Sequence, residues 1–251
     1  MASSQTALII GATGQTGRHL LQNLLESPHF SHVGEYGRRV TPADEITTGK
    51  DKLEQKAIDF EKIQESGLKQ KKWDVVFITL GTTKANAGSA EAFEKIDREG
   101  TSASRYVLAA AKEARSSDSS TPQRLVYLSS GGANSSSPFL YPKSKGLTEE
   151  GLASLGYSDT IIFRPGFLAG TNRADHRVVE TFFGKITGAL SYVTSAVEIN
   201  ISTLGKAMAE AGRLGSEALP SAVHPTQAGK EGAKFTVINN AGAIKLAELT
   251  K

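Results

Sequence analysis

A glycine-rich turn near the start of this 251-residue chain constrains its fold more than any other feature. The apolar run at residues 7–10 predicts a β-strand, and the leucine-rich stretch 18–25 predicts an α-helix. Gly11, Gly14 and Gly17 stand between them. Glycines let a backbone turn sharply and approach an anion closely, and a helix N-terminus offers it unpaired N–H groups and a partial positive charge. The order of strand, turn and helix therefore predicts a dinucleotide-binding site with its pyrophosphate on the turn.

The segment after the second predicted strand bears on the choice of nucleotide. Residues 32–36 read as that strand, and Gly37, Arg38 and Arg39 follow it. An acidic side chain at this place binds the ribose 2′-hydroxyl of NAD, whereas guanidinium groups pair with the 2′-phosphate of NADP. Glu35 is acidic, but it precedes the strand end. We therefore expect NADP(H) as the cofactor, with Arg38 and Arg39 at its 2′-phosphate.

Short apolar segments alternate with helical patterns along most of the chain, which is typical of a parallel sheet built from βαβ units. Helical spacing covers residues 90–114. The sequence predicts an α/β fold with a doubly wound parallel sheet in one domain, residues 1–251. Residues 166–234 lose the alternation, and we expect them to form most of a small C-terminal substrate lobe. The later strands are expected at 57–59, 75–80, 124–129, 160–164 and 235–238.

A second group of residues predicts the chemistry. Tyr141 and Lys145 are four positions apart, so they share one helix face, and Pro142 suits the first turn of such a helix. Ser129 and Ser130 end the preceding strand. An ammonium group lowers the pKa of a nearby phenol, and a serine hydroxyl can bind a substrate oxygen. The pattern predicts proton transfer at Tyr141 coupled to hydride transfer, with strand register deciding between the two serines.

Together these motifs resemble the atypical short-chain dehydrogenase/reductase family that includes the fungal mitochondrial-proteome proteins and the animal Tat-interacting oxidoreductase. The resemblance covers nearly the whole chain. It implies a Rossmann fold of the short-chain dehydrogenase type and an NADP(H)-dependent oxidoreductase acting on a small carbonyl or alcohol. The segments that carry it are residues 11–17, 37–39, 59–62, 80–83, 129–130, 141–146 and 163–166.

The resemblance also implies roles for particular residues. It places the cofactor's phosphates at residues 13–16, and it makes Tyr141 the proton donor or acceptor with Lys145 as its partner. Ser130, or alternatively Ser129, completes the catalytic set. The predicted cofactor contacts are Gly11, Thr13, Gly14, Gln15, Thr16, Gly17, Arg38, Arg39, Asp59, Leu80, Gly81, Tyr141, Lys145, Leu168 and Arg173.

More than one class of function fits this sequence. The first is the oxidoreductase, and the second is an NADPH-binding regulatory or interaction protein with little or no catalysis, because the fold alone does not establish activity. The serine, Tyr141 and Lys145 favour the first, since a sensor has no need of a proton-transferring tyrosine. A sugar-nucleotide epimerase is a third option, although those enzymes usually have longer chains.

Composition argues against several other classes. The chain has no cysteine, and its five histidines show no metal-ligand spacing, so we expect neither disulfides nor a bound metal. A net charge of +3 without a nucleic-acid-binding motif argues against DNA or RNA as a partner. No apolar run approaches the roughly 18 residues that span a membrane.

The location of the protein is predicted from the N-terminal sequence and the resemblance. The first strand begins near Ala7, which leaves no room for a cleavable presequence. The resemblance points to a peripheral protein of the mitochondrial outer membrane. A cytoplasmic protein is the alternative.

Overall fold

The elements of the fold are described for residues 4–80, 103–116, 118, 121–170 and 198–250 in a computed structural model. The strands are β1 (Gln5–Ile10), β2 (Phe30–Gly37), β3 (Leu53–Ala57), β4 (Val75–Ile78), β5 (Arg124–Leu128), β6 (Asp159–Arg164), β7 (Phe167–Ala169), β8 (Glu198–Asn200), β9 (Thr226–Lys230) and β10 (Ala233–Asn239). The helices are α1 (Gln15–Glu26), α2 (described over residues 103–114), α3 (Leu140–Ala153), α4 (Ile201–Leu214) and α5 (Asn240–Leu249). Short 3₁₀ segments cover Lys50–Lys52, Phe60–Ser66, Leu68–Gln70, Ser216–Ala218 and Ser221–Val223.

The central sheet has the strand order β3-β2-β1-β4-β5-β6-β10-β9. Its neighbouring strands run parallel, except that β9 pairs antiparallel with β10. The order reverses direction between β1 and β4, and such a switch point leaves a crevice for a ligand at the carboxyl ends of the strands. The predicted doubly wound sheet of the Rossmann type is therefore confirmed. β7 and β8 form a separate two-stranded parallel sheet.

Helices cover both faces of the sheet because successive strand residues point to opposite faces. Ala7 and Ile9 belong to one buried apolar cluster with residues of α1, α4 and α5. Leu8 and Ile10 belong to a second cluster with residues of α2 and α3. Because both faces are covered, β1 can be apolar at consecutive positions, and this continuous apolar run is what predicted the strand from the sequence.

The third strand lies earlier than expected: β3 covers Leu53–Ala57, not residues 57–59. Its residues pair in parallel register with residues 33–37 of β2. β3 is the edge of the sheet and carries the polar residues Glu54, Gln55 and Lys56, so it has no apolar run. The opposite edge strand, β9, is polar and mostly exposed, and the sequence did not predict it for the same reason.

Helix α4 belongs to the main fold, although its residues were expected in the substrate lobe. A Cβ atom at Gly205 would lie 2.8 Å from the backbone nitrogen of Leu20 in α1. One at Gly212 would lie 2.2 Å from the ring of Phe77 in β4. These close approaches pack α4 directly on α1 and on the sheet.

The predicted lobe is corrected accordingly for α4 and for β9, since β9 also extends the central sheet. The apolar residues of α4 recur at helical spacing, and this pattern could have indicated the helix from the sequence. Residues 171–197 of the predicted lobe lie outside the described residues, as do residues 90–102 of the predicted helix 90–114. The described remainder of that helix, residues 103–114, is helical.

Candidate active site

The glycine turn joins the end of β1 to the start of α1. Gly11 has a φ of +103°, in the left-handed region that favours glycine. A Cβ atom at Gly17 would lie 2.1 Å from the carbonyl oxygen of Gly11, so a larger residue could not bring α1 this close to β1. Gly14 is the N-cap of α1, and no side chain of the described residues caps this helix. The start of α1 therefore has the geometry of an anion site, with exposed Thr13 beside it.

The end of β4 is tied to this turn. The backbone nitrogen of Thr79 donates to the carbonyl oxygen of Ile10 at 2.9 Å, and its hydroxyl donates to that of Gly11 at 2.9 Å. A Cβ atom at Gly11 would lie 3.0 Å from the nitrogen of Leu80. Leu80 therefore borders the turn, as the prediction of a cofactor contact requires, while Gly81 lies outside the described residues.

Arg38 and Arg39 follow β2 directly, and both are exposed. Within the described residues neither guanidinium makes a hydrogen bond or ion pair. Asp59 follows Ile58, whose backbone nitrogen donates to the carbonyl oxygen of Gly37 at 2.8 Å. Asp59 itself accepts from the nitrogen of Glu61 at 2.9 Å and caps a 3₁₀ segment. These two cations, which have no partner in the part of the chain that the structure describes, thus stand at the carboxyl edge of the sheet, where a phosphate group could pair with them.

Ser129 and Ser130 follow β5, and their hydroxyl oxygens are buried without a partner among the described residues. Buried hydroxyls are usually satisfied, so an unpartnered pair at one strand end is a notable exception. Backbone hydrogen bonds tie the loop that holds them to the segments beside it. Gly131 donates to Pro165 at 2.8 Å, and Asn134 donates to Pro142 at 2.9 Å. Neither serine is among the residues that line the cavity at Tyr141 and Lys145.

Helix α3 packs tightly against this loop. A Cβ atom at Gly146 would lie 2.1 Å from the nitrogen of Ser135, so glycine after Lys145 permits the contact. At the next turn Glu149, which is 1% exposed, forms a bidentate ion pair with Arg164 at the end of β6, with distances of 3.1 and 2.5 Å. The loop after β5 and the end of β6 thus hold the helix that carries Tyr141 and Lys145.

Lys145 makes a contact that the sequence did not predict. Its Nζ donates to the hydroxyl of Tyr127 at 3.1 Å and lies 5.3 Å from the centroid of the same ring. Burial lowers the pKa of Lys145 below its ordinary value, although Tyr141 and Glu149 act in the opposite direction. Burial also raises the pKa of Tyr127. The place of Tyr127 in the sequence could have indicated this contact. Tyr127 stands two residues before Ser129, and alternate residues of a strand share a face.

A small cavity lies where these elements meet, and Tyr141 is 46% exposed beside it. An amine and a phenol there can share a proton and pass it to a bound oxygen. The cavity is lined by Leu80, Ala103, Ser104, Val107, Tyr127, Tyr141, Ser144 and Lys145. The predicted Tyr141, Lys145 and Leu80 are therefore brought together.

The remaining predicted contacts lie after β6. Leu168 is in β7, is 38% exposed and pairs with Ile199 of β8. Arg173 lies outside the described residues. In the part of the chain that the structure describes, no group of His, Asp and Glu could hold a metal ion, and no helix is long and apolar enough to cross a membrane.

Comparisons with known sequences confirm the predicted resemblance. A model of the NAD(P)H-binding family matches residues 11–187. "Protein HTATIP2" of Rattus norvegicus is 35% identical over 187 residues, which are 74% of this chain and 72% of that protein. "Protein FMP52, mitochondrial" of Candida albicans is 38% identical over 174 residues, 68% and 70% of the two chains. "Protein FMP52-1, mitochondrial" of Scheffersomyces stipitis is 32% identical over 250 residues, 98% and 99% of the two chains.

Solved structures with similar folds include short-chain dehydrogenases. A Serratia marcescens short-chain dehydrogenase/reductase has a TM-score of 0.62 at 17% identity and covers 96% of this chain and 99% of its own. A Burkholderia cenocepacia short-chain dehydrogenase in complex with NADP has a TM-score of 0.52 at 15% identity, with 84% and 85% covered. At these identities the likeness shows the fold.

Proposed function

This chain belongs to the NAD(P)H-binding family, as an atypical short-chain dehydrogenase/reductase resembling FMP52 and HTATIP2, and on that premise we propose that it is an NADP(H)-dependent oxidoreductase. The proposed reaction is hydride transfer to or from the carbon of a small carbonyl or alcohol. The observation that carries the proposal is the ammonium of Lys145 in a cavity that Tyr141 also lines. A protein that only binds the cofactor would not need this pair.

The chain's own residues fit the cofactor. Gly17 permits a close approach between α1 and the turn after β1 that any Cβ atom would block. The start of α1 has no side-chain cap, so its N–H groups suit the pyrophosphate. Arg38 and Arg39 would hold the 2′-phosphate through charged hydrogen bonds. When bound, NADPH supplies the hydride, and NADP⁺ accepts it in the reverse direction.

The proton moves at the Tyr141 hydroxyl. In the direction of reduction, a carbonyl carbon gains the hydride and its oxygen gains the proton of Tyr141, so the product is an alcohol and the phenol becomes a phenolate. The Lys145 ammonium stabilises this phenolate. A hydroxyl of Ser129 or Ser130 donates to the substrate oxygen and orients it. Tyr141 is half exposed and recovers its proton from water.

The test of the enzymatic proposal is a panel of aldehydes, ketones and quinones with NADPH, followed by variants. Tyr141→Phe should lower turnover by roughly 10²–10⁴-fold while NADPH still binds. Lys145→Met should weaken turnover and cofactor binding together. Lys143→Met is the matched control, because Lys143 is on the same helix but exposed and outside the cavity.

Two results would contradict the proposal. Unchanged turnover in Tyr141→Phe would remove the proposed proton donor from the mechanism. Tight NADPH binding without oxidation of any substrate in the panel would instead favour an NADPH-binding regulatory or interaction protein.

We also propose that the protein associates peripherally with the mitochondrial outer membrane. The support is that its FMP52 relatives carry the label mitochondrial. The full-length protein should fractionate partly with mitochondria, leave them in carbonate or high salt, and be digested by protease added to intact organelles. Resistance to that protease, or recovery in the cytosol alone, would contradict this location.

A further inference from the structure

The one acidic side chain of β2 points into the protein rather than toward the nucleotide crevice. Glu35 is 1% exposed. Its Oε1 accepts hydrogen bonds from the backbone nitrogen of Thr41 at 2.8 Å and from the Thr41 hydroxyl at 2.7 Å. Its Oε2 accepts from Nε2 of Gln55 at 2.7 Å. Three donors thus replace the water that a buried carboxylate loses.

Gln55 closes this network. It stands on β3 directly beside Glu35 in the parallel register of the two strands. The same Nε2 donates to the carbonyl oxygen of Thr41 at 2.7 Å. Thr41 is therefore held through its N–H, its hydroxyl and its carbonyl, and it is itself buried.

The segment between these anchors carries both arginines. At its start, Gly37 is fixed because its carbonyl oxygen accepts from Ile58 at 2.8 Å. A Cβ atom at Gly37 would lie 3.0 Å from the carbonyl oxygen of Arg39, so the chain folds back tightly there. At its end, Thr41 is held by Glu35. The backbone of Arg38 and Arg39 is thus restrained on both sides, while their side chains are exposed and make no bond within the described residues.

We propose that Glu35 and Thr41 are positioning residues for NADP(H) selectivity: they hold the Arg38–Arg39 turn in the shape that meets a 2′-phosphate. Both residues are buried, so they act through the turn and not through contact with the cofactor. A turn that is already ordered loses less conformational entropy when a ligand binds. The resulting gain in affinity applies to the ligand that pairs with the arginines. This inference rests on the proposed function, specifically on the assignment of the 2′-phosphate to Arg38 and Arg39.

The experiment measures binding, so it needs no substrate. Dissociation constants for NADPH and NADH are measured by fluorescence, with 2′,5′-ADP and 5′-AMP as competitors that differ in the 2′-phosphate. The variants are Thr41→Val and Glu35→Gln. Glu54→Gln is the matched control, because Glu54 is a β3 carboxylate bonded to Tyr36 and Lys71 instead of to the arginine turn. Thermal unfolding verifies that each variant is folded.

Both test variants should lower the preference for NADPH over NADH, and for 2′,5′-ADP over 5′-AMP, by about fivefold, as expected for loss of one or two hydrogen bonds. Binding of NADH and 5′-AMP, and the preference of Glu54→Gln, should change little. Direct electrostatics predicts a different pattern: removing the charge of Glu35 would strengthen NADPH binding, and Thr41→Val would have no effect. That pattern would overturn the proposal.

The failure of this inference is distinguishable from failure of the proposed function. A wild-type preference for NADPH that persists in both variants contradicts the positioning role alone. Equal affinity of the wild-type protein for NADPH and NADH contradicts the assignment of the arginines as well.

Discussion

Lys145 and Tyr127 form a pair in the candidate active site, with the lysine Nζ 3.1 Å from the tyrosine hydroxyl and 5.3 Å from its ring centroid. An ammonium group has three donors, so this bond leaves others for Tyr141 and for a cofactor hydroxyl. The pair joins β5 to α3 across the cavity. Tyr127 is 1% exposed, so its side chain is held by the protein interior and fixes the position of the Lys145 ammonium.

The first prediction concerns the pH dependence of turnover in Tyr127→Phe. Burial lowers the pKa of Lys145, and removing a hydrogen bond that its charged form donates lowers it further. The proposed mechanism needs the ammonium, so the alkaline loss of turnover should move to lower pH in the variant. The measurement is the pH profile of turnover with NADPH. Tyr157→Phe is the control, because the Tyr157 hydroxyl donates to the carbonyl oxygen of Ala111 at 2.7 Å and not to Lys145. Equal shifts of the pH profile in both variants would contradict a specific role of Tyr127.

The second prediction separates the two serines. Both hydroxyls are buried without partners among the described residues, so Ser129→Ala and Ser130→Ala should not lower the free energy of unfolding. Removing an unpaired buried hydroxyl relieves a cost of about 1–3 kcal/mol, so the free energy of unfolding of each variant should be unchanged or higher. Replacing the serine that binds the substrate oxygen should lower turnover by about 10²-fold. Denaturant unfolding and steady-state rates test this, and a large loss of stability without loss of turnover would contradict it.

The third prediction concerns the contact between the glycine turn and α1. In Gly17→Ala the new Cβ would meet the backbone of Gly11 at 2.1 Å, and backbone atoms cannot rotate away. We expect the variant to lose about 1–3 kcal/mol in the free energy of unfolding and to bind NADPH more weakly. Gly132→Ala is the control, because a Cβ there has no heavy atom within 4 Å. Similar effects in both variants would show that the close approach is not the cause.

The fourth prediction concerns Arg38 and Arg39. Hydrogen bonds to charged groups contribute roughly 1.5–3 kcal/mol each, so the double alanine variant should lose at least about tenfold in NADPH affinity. NADH affinity should barely change, because NADH has no 2′-phosphate. Calorimetric or fluorescence titration measures both. An equal loss for the two nucleotides would mean that the arginines act on the fold of the turn rather than on the phosphate.

Features that depend on neighbours in sequence were predictable. The glycine turn needs only a strand before it and a helix after it, and the Tyr141–Lys145 pair needs only one helix turn. The central strands were visible because burial on both faces makes them continuously apolar. The edge strand β3 was misplaced and β9 was not predicted, because an edge strand can be polar along its length.

The sequence by itself determined the family, the doubly wound fold and the local shape of the nucleotide-binding turn, because these follow from residue types at short spacing. Only the tertiary structure decided which side chains meet across elements. Glu35, Thr41 and Gln55 come from three segments, and the β2–β3 register places two of them side by side. Tyr127 reaches Lys145 because α3 packs at Gly146 against the loop that follows β5. Such contacts depend on register and helix packing, which a single chain's pattern does not encode at the level of individual atoms.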